Sequence, residues 1–151
     1  MIKDVLGSIF SFIMIILMLV ITPIYYVGII QWARSEAVVN IETRNLIDEV
    51  IDTRFLIDDT LKDYNLSIAA LPMNYVITIS RKVKVINPDP LNPGSTYTTY
   101  VVVDDISKYE QGDFIVVNLE PVGNNLFQII SKSLMGLSIP SNSFTLAGRV
   151  R

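Results

Sequence analysis

Hydrophobic and polar positions divide the chain into three regimes. From Val5 to Ala33 the sequence VLGSIFSFIMIILMLVITPIYYVGIIQWA runs for 29 residues without a charged side chain. An uncharged apolar run longer than about 18 residues predicts a membrane-spanning helix. From Arg34 to about Arg54 the helical period continues but becomes one-sided. Val39, Leu46, Val50 and Ile57 fall near one face, and Glu42, Asp48, Glu49 and Asp52 lie off it. No glycine occurs between Gly28 and Gly94 and no proline between Pro23 and Pro72. The two segments therefore read as one continuous or gently bent helix, greasy in its first half and amphipathic in its second. A break is expected between Thr53 and Asp58. Asp58 or Asp59 then caps a second helix, in which Leu61, Tyr64, Ile68 and Leu71 recur at steps of three and four and which Pro72 ends.

Beyond Pro72 the period falls to two. Tyr75, Ile77, Ile79, Val83 and Val85 alternate with Thr78, Ser80, Lys82 and Lys84, which predicts a strand with one wet face. The proline-rich stretch NPDPLNPGS is a loop, and the β-branched and tyrosine residues of 96–103 form the returning arm of a hairpin. Phe114 to Leu119 is a third strand entered through the turn Gln111-Gly112-Asp113. Leu126 to Met135 reads as a short helix, because Leu126, Ile130 and Leu134 share a face, with a fourth strand as the alternative. Phe144, Leu146 and Val150 alternate in a last strand. The fold class is thus α+β. A long N-terminal hydrophobic helix over 1–33 continues into an amphipathic stalk and second helix over 34–72, and an antiparallel head of about four strands occupies 73–151. The sheet buries its apolar face against the helices at 39–71.

The opening run exceeds a minimal span, since at about 1.5 Å per residue it reaches roughly 43 Å against a hydrocarbon core of about 30 Å. Pro23 is the expected site of a bend, because it lacks an N–H and crowds the carbonyl of Leu19. Tyr25, Tyr26 and Trp32 read as anchors at the membrane–water interface, which puts the hydrocarbon span at about Val5 to Tyr25. A secretory signal would carry a shorter apolar core, a basic preamble and a small-residue cleavage site. Here Lys3 is followed by Asp4 and nothing resembling A-x-A precedes Trp32, so the segment is expected to be retained, with the N-terminus inside.

Charge changes the picture little outside the stalk. Residues 34–74 carry four basic and eight acidic side chains, whereas 75–151 carry seven basic and six acidic. The largest basic cluster is Arg81, Lys82 and Lys84, too small to hold nucleic-acid phosphates. No cysteine or histidine is present, which removes thiolate chemistry, zinc–sulfur sites and the commonest general base. Asp104, Asp105, Glu110 and Asp113 are four acids that could ligate Ca²⁺ through oxygen, but their spacing departs from the EF-hand loop and they read as solvated loop acids. No enzyme activity, catalytic residue, metal or cofactor is expected.

Near the start, Asp4 reads either as a solvated first-turn acid complementing the helix dipole or as the partner of a neighbouring copy's amino terminus at Met1. Gly7 and Ser11 stand four apart, a spacing that lets helices approach closely in lipid. Four features together resemble the type IV pilin superfamily, and more narrowly the small pilin-like proteins of Gram-positive and tight-adherence (Tad-like) systems. They are the helix MIKDVLGSIFSFIMIILMLVITPIYY, the early acid Asp4, Pro23 well inside the apolar part, and the helix-to-sheet order. The stretches LPMNYVITI and YEQGDFIVV add to the likeness. The family's acid is a glutamate one place further along, where this chain has Val5, and no basic leader ending in glycine is visible. Either Met1 is already the mature N-terminus or the chain is not processed in that way.

The resemblance implies a structural subunit, major or minor, of a pilus-like filament. Its partners are copies of itself, membrane lipid before assembly and an assembly machinery. It moves from the cytoplasmic membrane to the cell surface, and Met1, Asp4, Gly7, Ser11 and Pro23 act in assembly. The alternative is a single-pass envelope protein whose external head binds another protein.

Overall fold

In the computed structural model, which describes residues 2–151, helix α1 runs unbroken over Ile2–Thr53, 52 residues. At about 1.5 Å per residue it is a rod of roughly 78 Å. Pro23 sits inside it without ending it. The stop comes at Arg54, whose backbone turns left-handed with φ 64°. Three hydrogen bonds hold that residue in a conformation that side-chain-bearing residues rarely adopt. Its N–H donates to the Val50 carbonyl at 2.8 Å, its own carbonyl accepts from the Tyr109 N–H at 2.9 Å, and its guanidinium donates to the Arg151 carbonyl at 3.0 Å.

Helix α2 (Asp58–Ala69) folds back along the amphipathic half of α1. The expected cap is corrected. Ile57 occupies the cap position without a side-chain bond, while Asp58 and Asp59 fall in the first turn, where their charge complements the helix dipole. Ile57 likewise leaves the stripe assigned to it and is 45% exposed. Tyr64 and Ile68 are buried as the spacing implied, and Thr43 and Tyr64 share a buried hydroxyl–hydroxyl bond of 2.9 Å across the two helices.

Strands β1 (Asn74–Pro88), β2 (Thr96–Val103), β3 (Phe114–Val122) and β4 (Phe144–Arg149) form one antiparallel sheet in the order β2-β1-β3-β4. The length of β1 lets it serve two partners. Its first half pairs with β3, from Asn74 opposite Val122 to Lys82 opposite Phe114, and its second half pairs with β2, from Arg81 opposite Val103 to Pro88 opposite Thr96. Most of the β1–β2 hairpin therefore extends past the end of β3. Asp89 closes its loop by accepting from the Leu91 N–H at 2.9 Å and from Asn92 and Ser95, and these bonds hold its carboxyl below the ordinary range.

The core lies between the sheet and the two helices, with Val39, Leu46, Ile47, Val50, Tyr64 and Ile68 on one side and Ile115, Val117, Leu119 and Val150 on the other. Residues 34–72 and 73–151 thus contribute to a single core. The inward row of β4 is Phe144, Leu146 and Gly148, continued by Val150 just beyond it, and the glycine falls where α1 crosses: a Cβ there would collide with Ile47 and lie 2.8 Å from Ile51. Helix α3 (Leu126–Met135) forms as expected, but the row that suggested it is not the row that is buried. Leu126 and Leu134 are exposed, and Phe127, Gln128 and Ser131 are inside.

Gly148→Val is expected to destabilise the head by about 1–3 kcal/mol through overpacking, whereas Ala147→Val, on the exposed face next door, stays within about 0.5 kcal/mol. Urea midpoints of the full-length chain in detergent check the difference; equal midpoints would remove the close crossing of α1 and β4.

Candidate membrane and assembly surface

The opening of α1 stands clear of the rest of the fold as far as Val20. Every described side chain from Lys3 to Val20 is exposed, and none of the most apolar part of the helix is buried. Length and composition make α1 long and apolar enough to cross a membrane, at an N-terminal position it shares with signal sequences. Met1 lies outside the described residues. Asp4 stands exposed in the first turn. Gly7 and Ser11 are exposed one turn apart, with nothing within 4 Å of a Cβ built on Gly7, so this face is open to close approach. Pro23 joins Met14, Ile15, Met18, Leu19 and Thr22 around a shallow apolar hollow of about 560 Å³ on the side of the rod.

The three aromatic residues assigned to the interface are divided by the fold. Tyr26 is 64% exposed. Tyr25 and Trp32 instead turn onto Phe127 of α3, with ring centroids 5.0 and 6.0 Å apart. Between them lies Gly28, whose missing Cβ leaves room for Phe127: an added one would stand 3.0 Å from the Phe127 Cβ. Ile21, Tyr25, Gly28, Ile29 and Trp32 form the one partly covered stripe at this level. An isolated glycine in an apolar helix could have signalled close packing, but nothing local named Phe127 as its partner.

Helix α3 is positioned by its polar side chains. Asn125 and Gln128 make a reciprocal capping box, the Gln128 amide donates to the Ile139 carbonyl at 3.1 Å and to Ser141 Oγ at 3.0 Å, and the Ser131 hydroxyl donates to the Phe127 carbonyl at 2.7 Å. Gly136, with φ 67°, ends the helix in the left-handed conformation glycine tolerates.

At the far end of the stalk the four candidate acids go separate ways. Asp113, buried, pairs with Arg81 through Nε and Nη2 at 2.7 Å and accepts the Glu110 N–H at 2.9 Å. Asp105 accepts from the Ser107 hydroxyl and N–H at 2.6 and 3.0 Å, which holds its carboxyl below the ordinary range. No group of three potential metal ligands assembles among the described residues. Arg81 is itself drawn inward, its guanidinium 5.7 Å from the Tyr109 ring centroid, which takes it out of the basic cluster it forms with Lys82 and Lys84 in sequence. An open cleft of about 1000 Å³ nearby is lined by charges of both signs, among them Asp48, Asp52, Arg54, Arg149 and Arg151.

The Tyr109 side chain is 1% exposed, and its hydroxyl has no hydrogen-bond partner among the described residues. Burial pushes it from 10.0 up to about 12, with Arg81 pulling it down and Asp113 and Asp105 pushing it up. The folded chain therefore holds this proton more tightly than the unfolded chain does. The stability it contributes is complete below pH 10 and is lost as pH rises toward 12.

Comparison of the chain with protein-family models, with curated proteins and with solved structures gives no match.

Asp113→Asn leaves Arg81 buried without its counter-charge and is expected to cost about 3–5 kcal/mol; a change under about 1 kcal/mol in chemical denaturation would mean the pair is solvated. Tyr109→Phe loses no hydrogen bond and is expected to hold or raise stability at neutral pH by up to about 1 kcal/mol. It should also flatten the alkaline decline between pH 10 and 12. Melting temperatures across that range check both effects, and a loss of stability at pH 7 would show that the hydroxyl is bonded.

Proposed function

We propose that this chain is the structural subunit of a type IV pilus-like filament, held in the cytoplasmic membrane by α1 and then assembled with copies of itself through that helix. The observation that carries the reading is the division of one unbroken helix. Its amphipathic half is built into the core of the head, and its apolar part from Lys3 to Val20 is exposed on every side. A bare helix of that kind is stable when sheathed, first by lipid and then by neighbouring helices, which keep its surface from water at about 25 cal/mol per Å². Open faces at Gly7 and Ser11 suit close side-by-side packing, and Asp4 lies at the end where a neighbour's amino terminus would meet it. The resemblance of the opening helix to pilins, with Pro23 inside it, supports the same reading. The role is structural rather than catalytic.

A second reading, an anchored envelope protein whose head binds a different partner, is favoured by the projecting β1–β2 hairpin. Ile86, Tyr97, Tyr100, Val101 and Val102 are exposed there, away from the helices.

The chain has no cysteine, so single cysteines report cleanly. In cells of the source organism, Ser11→Cys is expected to crosslink copy to copy in sheared surface fibres decorated by antibody against the head, and Gly7→Leu is expected to reduce those fibres several-fold. Membrane-resident monomer alone, with crosslinks from Tyr97→Cys to a different protein, would replace the filament reading by the second one.

A further inference from the structure

Helix α3 is amphipathic in the inverse sense for a helix on a globular head. Its polar residues Gln128 and Ser131 are 3% and 0% exposed, whereas Leu126, Ile129, Leu134 and Met135 are 49–54% exposed, and Leu137 just beyond is 54% exposed. The inversion is built in. The capping box, the Gln128 bonds to the following segment and the Phe127 ring seated on Gly28 consume the polar side and one aromatic, and turn the aliphatic side outward. A water-facing helix would place these groups the other way round.

Its location gives the outward face an occupant. Phe127 packs between Tyr25 and Trp32, at the level where the uncharged run of α1 ends. The exposed aliphatic face of α3 thus adjoins the bare apolar surface of the span. Charge agrees with this placement. Between Glu120 and Arg149 the one charged residue is Lys132, and from Val5 to Ala33 there is none, while the stalk beyond is rich in acids. The segment that carries α3 therefore brings a cation and no carboxylate of its own to this end of the head. That suits the headgroup layer of an anionic bilayer, into which an exposed lysine can extend.

We propose that α3 is a membrane-surface helix: in the anchored chain its face of Leu126, Ile129 and Leu134 lies in the headgroup–acyl boundary of the bilayer that α1 crosses. The lipid surface is then a second contact for the head, and it fixes the head's height and rotation about α1. This rests on the anchoring part of the proposed function and is independent of whether a filament follows.

The test uses the full-length chain in vesicles of phosphatidylcholine and phosphatidylglycerol, at a protein-to-lipid ratio low enough to keep copies apart. An environment-sensitive fluorophore is attached to single cysteines in α3 (Leu134→Cys, with Ile129→Cys as an independent second position), in the span (Leu17→Cys) and in the hairpin (Ile86→Cys). Quenching by nitroxide lipids reports contact with acyl chains, and quenching by iodide reports contact with water. Both α3 labels are expected to be quenched by shallow nitroxide lipids and to respond several-fold less to iodide than the Ile86 label. If the Leu17 label meets lipid while both α3 labels respond to iodide like the hairpin, the proposal is overturned and the anchor stands. If the α3 labels are shielded from both quenchers, a second copy or another part of the protein covers the face, and the lipid assignment is equally overturned. If the Leu17 label itself meets no lipid, the anchoring reading fails and this inference fails with it.

Discussion

The constraint on which this molecule depends is the continuity of α1. A single hydrogen-bonded rod passes from a stretch exposed from Lys3 to Val20 into the centre of a packed head, and no glycine or proline after Gly28 gives it a joint. From Gly28 onward nothing in the sequence kinks the rod, so the direction in which α1 leaves this level sets the direction of the head. The head is fastened to that rod at points where side chains have been removed. Gly148 lets β4 approach Ile47 and Ile51, and Gly28 lets α3 approach the rod through Phe127. These two contacts sit at different heights on α1, so the head is held both along the core and at the level where the span ends.

The opposite end of the head is secured by polar means. The connection from β2 to β3 crosses the sheet beneath the end of α1, tied there by the Leu56 N–H to the Ser107 carbonyl and the Tyr109 N–H to the Arg54 carbonyl. Arg81 arrives from the middle of β1 to meet Asp113 at the end of this crossing. A charge on an otherwise apolar row is tolerated because its partner is close and a further backbone N–H satisfies the carboxylate. Of the four acids that read in sequence as solvated loop residues, Asp113 and Asp105 instead hold this loop in place.

Between the two ends the distribution of charge follows the environment that each part is proposed to meet. The acids of the stalk, apart from Glu36, lie beyond the first turns after the span, and the segment that carries α3 has Lys132 as its one charge between Glu120 and Arg149. A chain with its oily half in lipid and its acids held clear of an anionic surface avoids both desolvation and repulsion.

Much of this architecture was legible from residue order. The 29-residue uncharged run, the unbroken helix to about Arg54, the second helix and the two arms of the hairpin all follow from local periodicity and from where glycine and proline are missing. Those signals are local because each element makes its own backbone hydrogen bonds or alternates with a fixed period. What periodicity could not determine was which neighbour each face would meet. It presented Tyr25, Tyr26 and Trp32 as equivalent, set Arg81 beside Lys82 and Lys84, and marked Leu126, Ile130 and Leu134 as the defining row of α3. Tertiary packing separated the aromatics, buried Arg81 against Asp113 and left the aliphatic side of α3 outside. The reason is that inward and outward depend on contacts between residues about a hundred positions apart, such as Gly28 with Phe127 and Ile47 with Gly148, and no short window of sequence contains both partners.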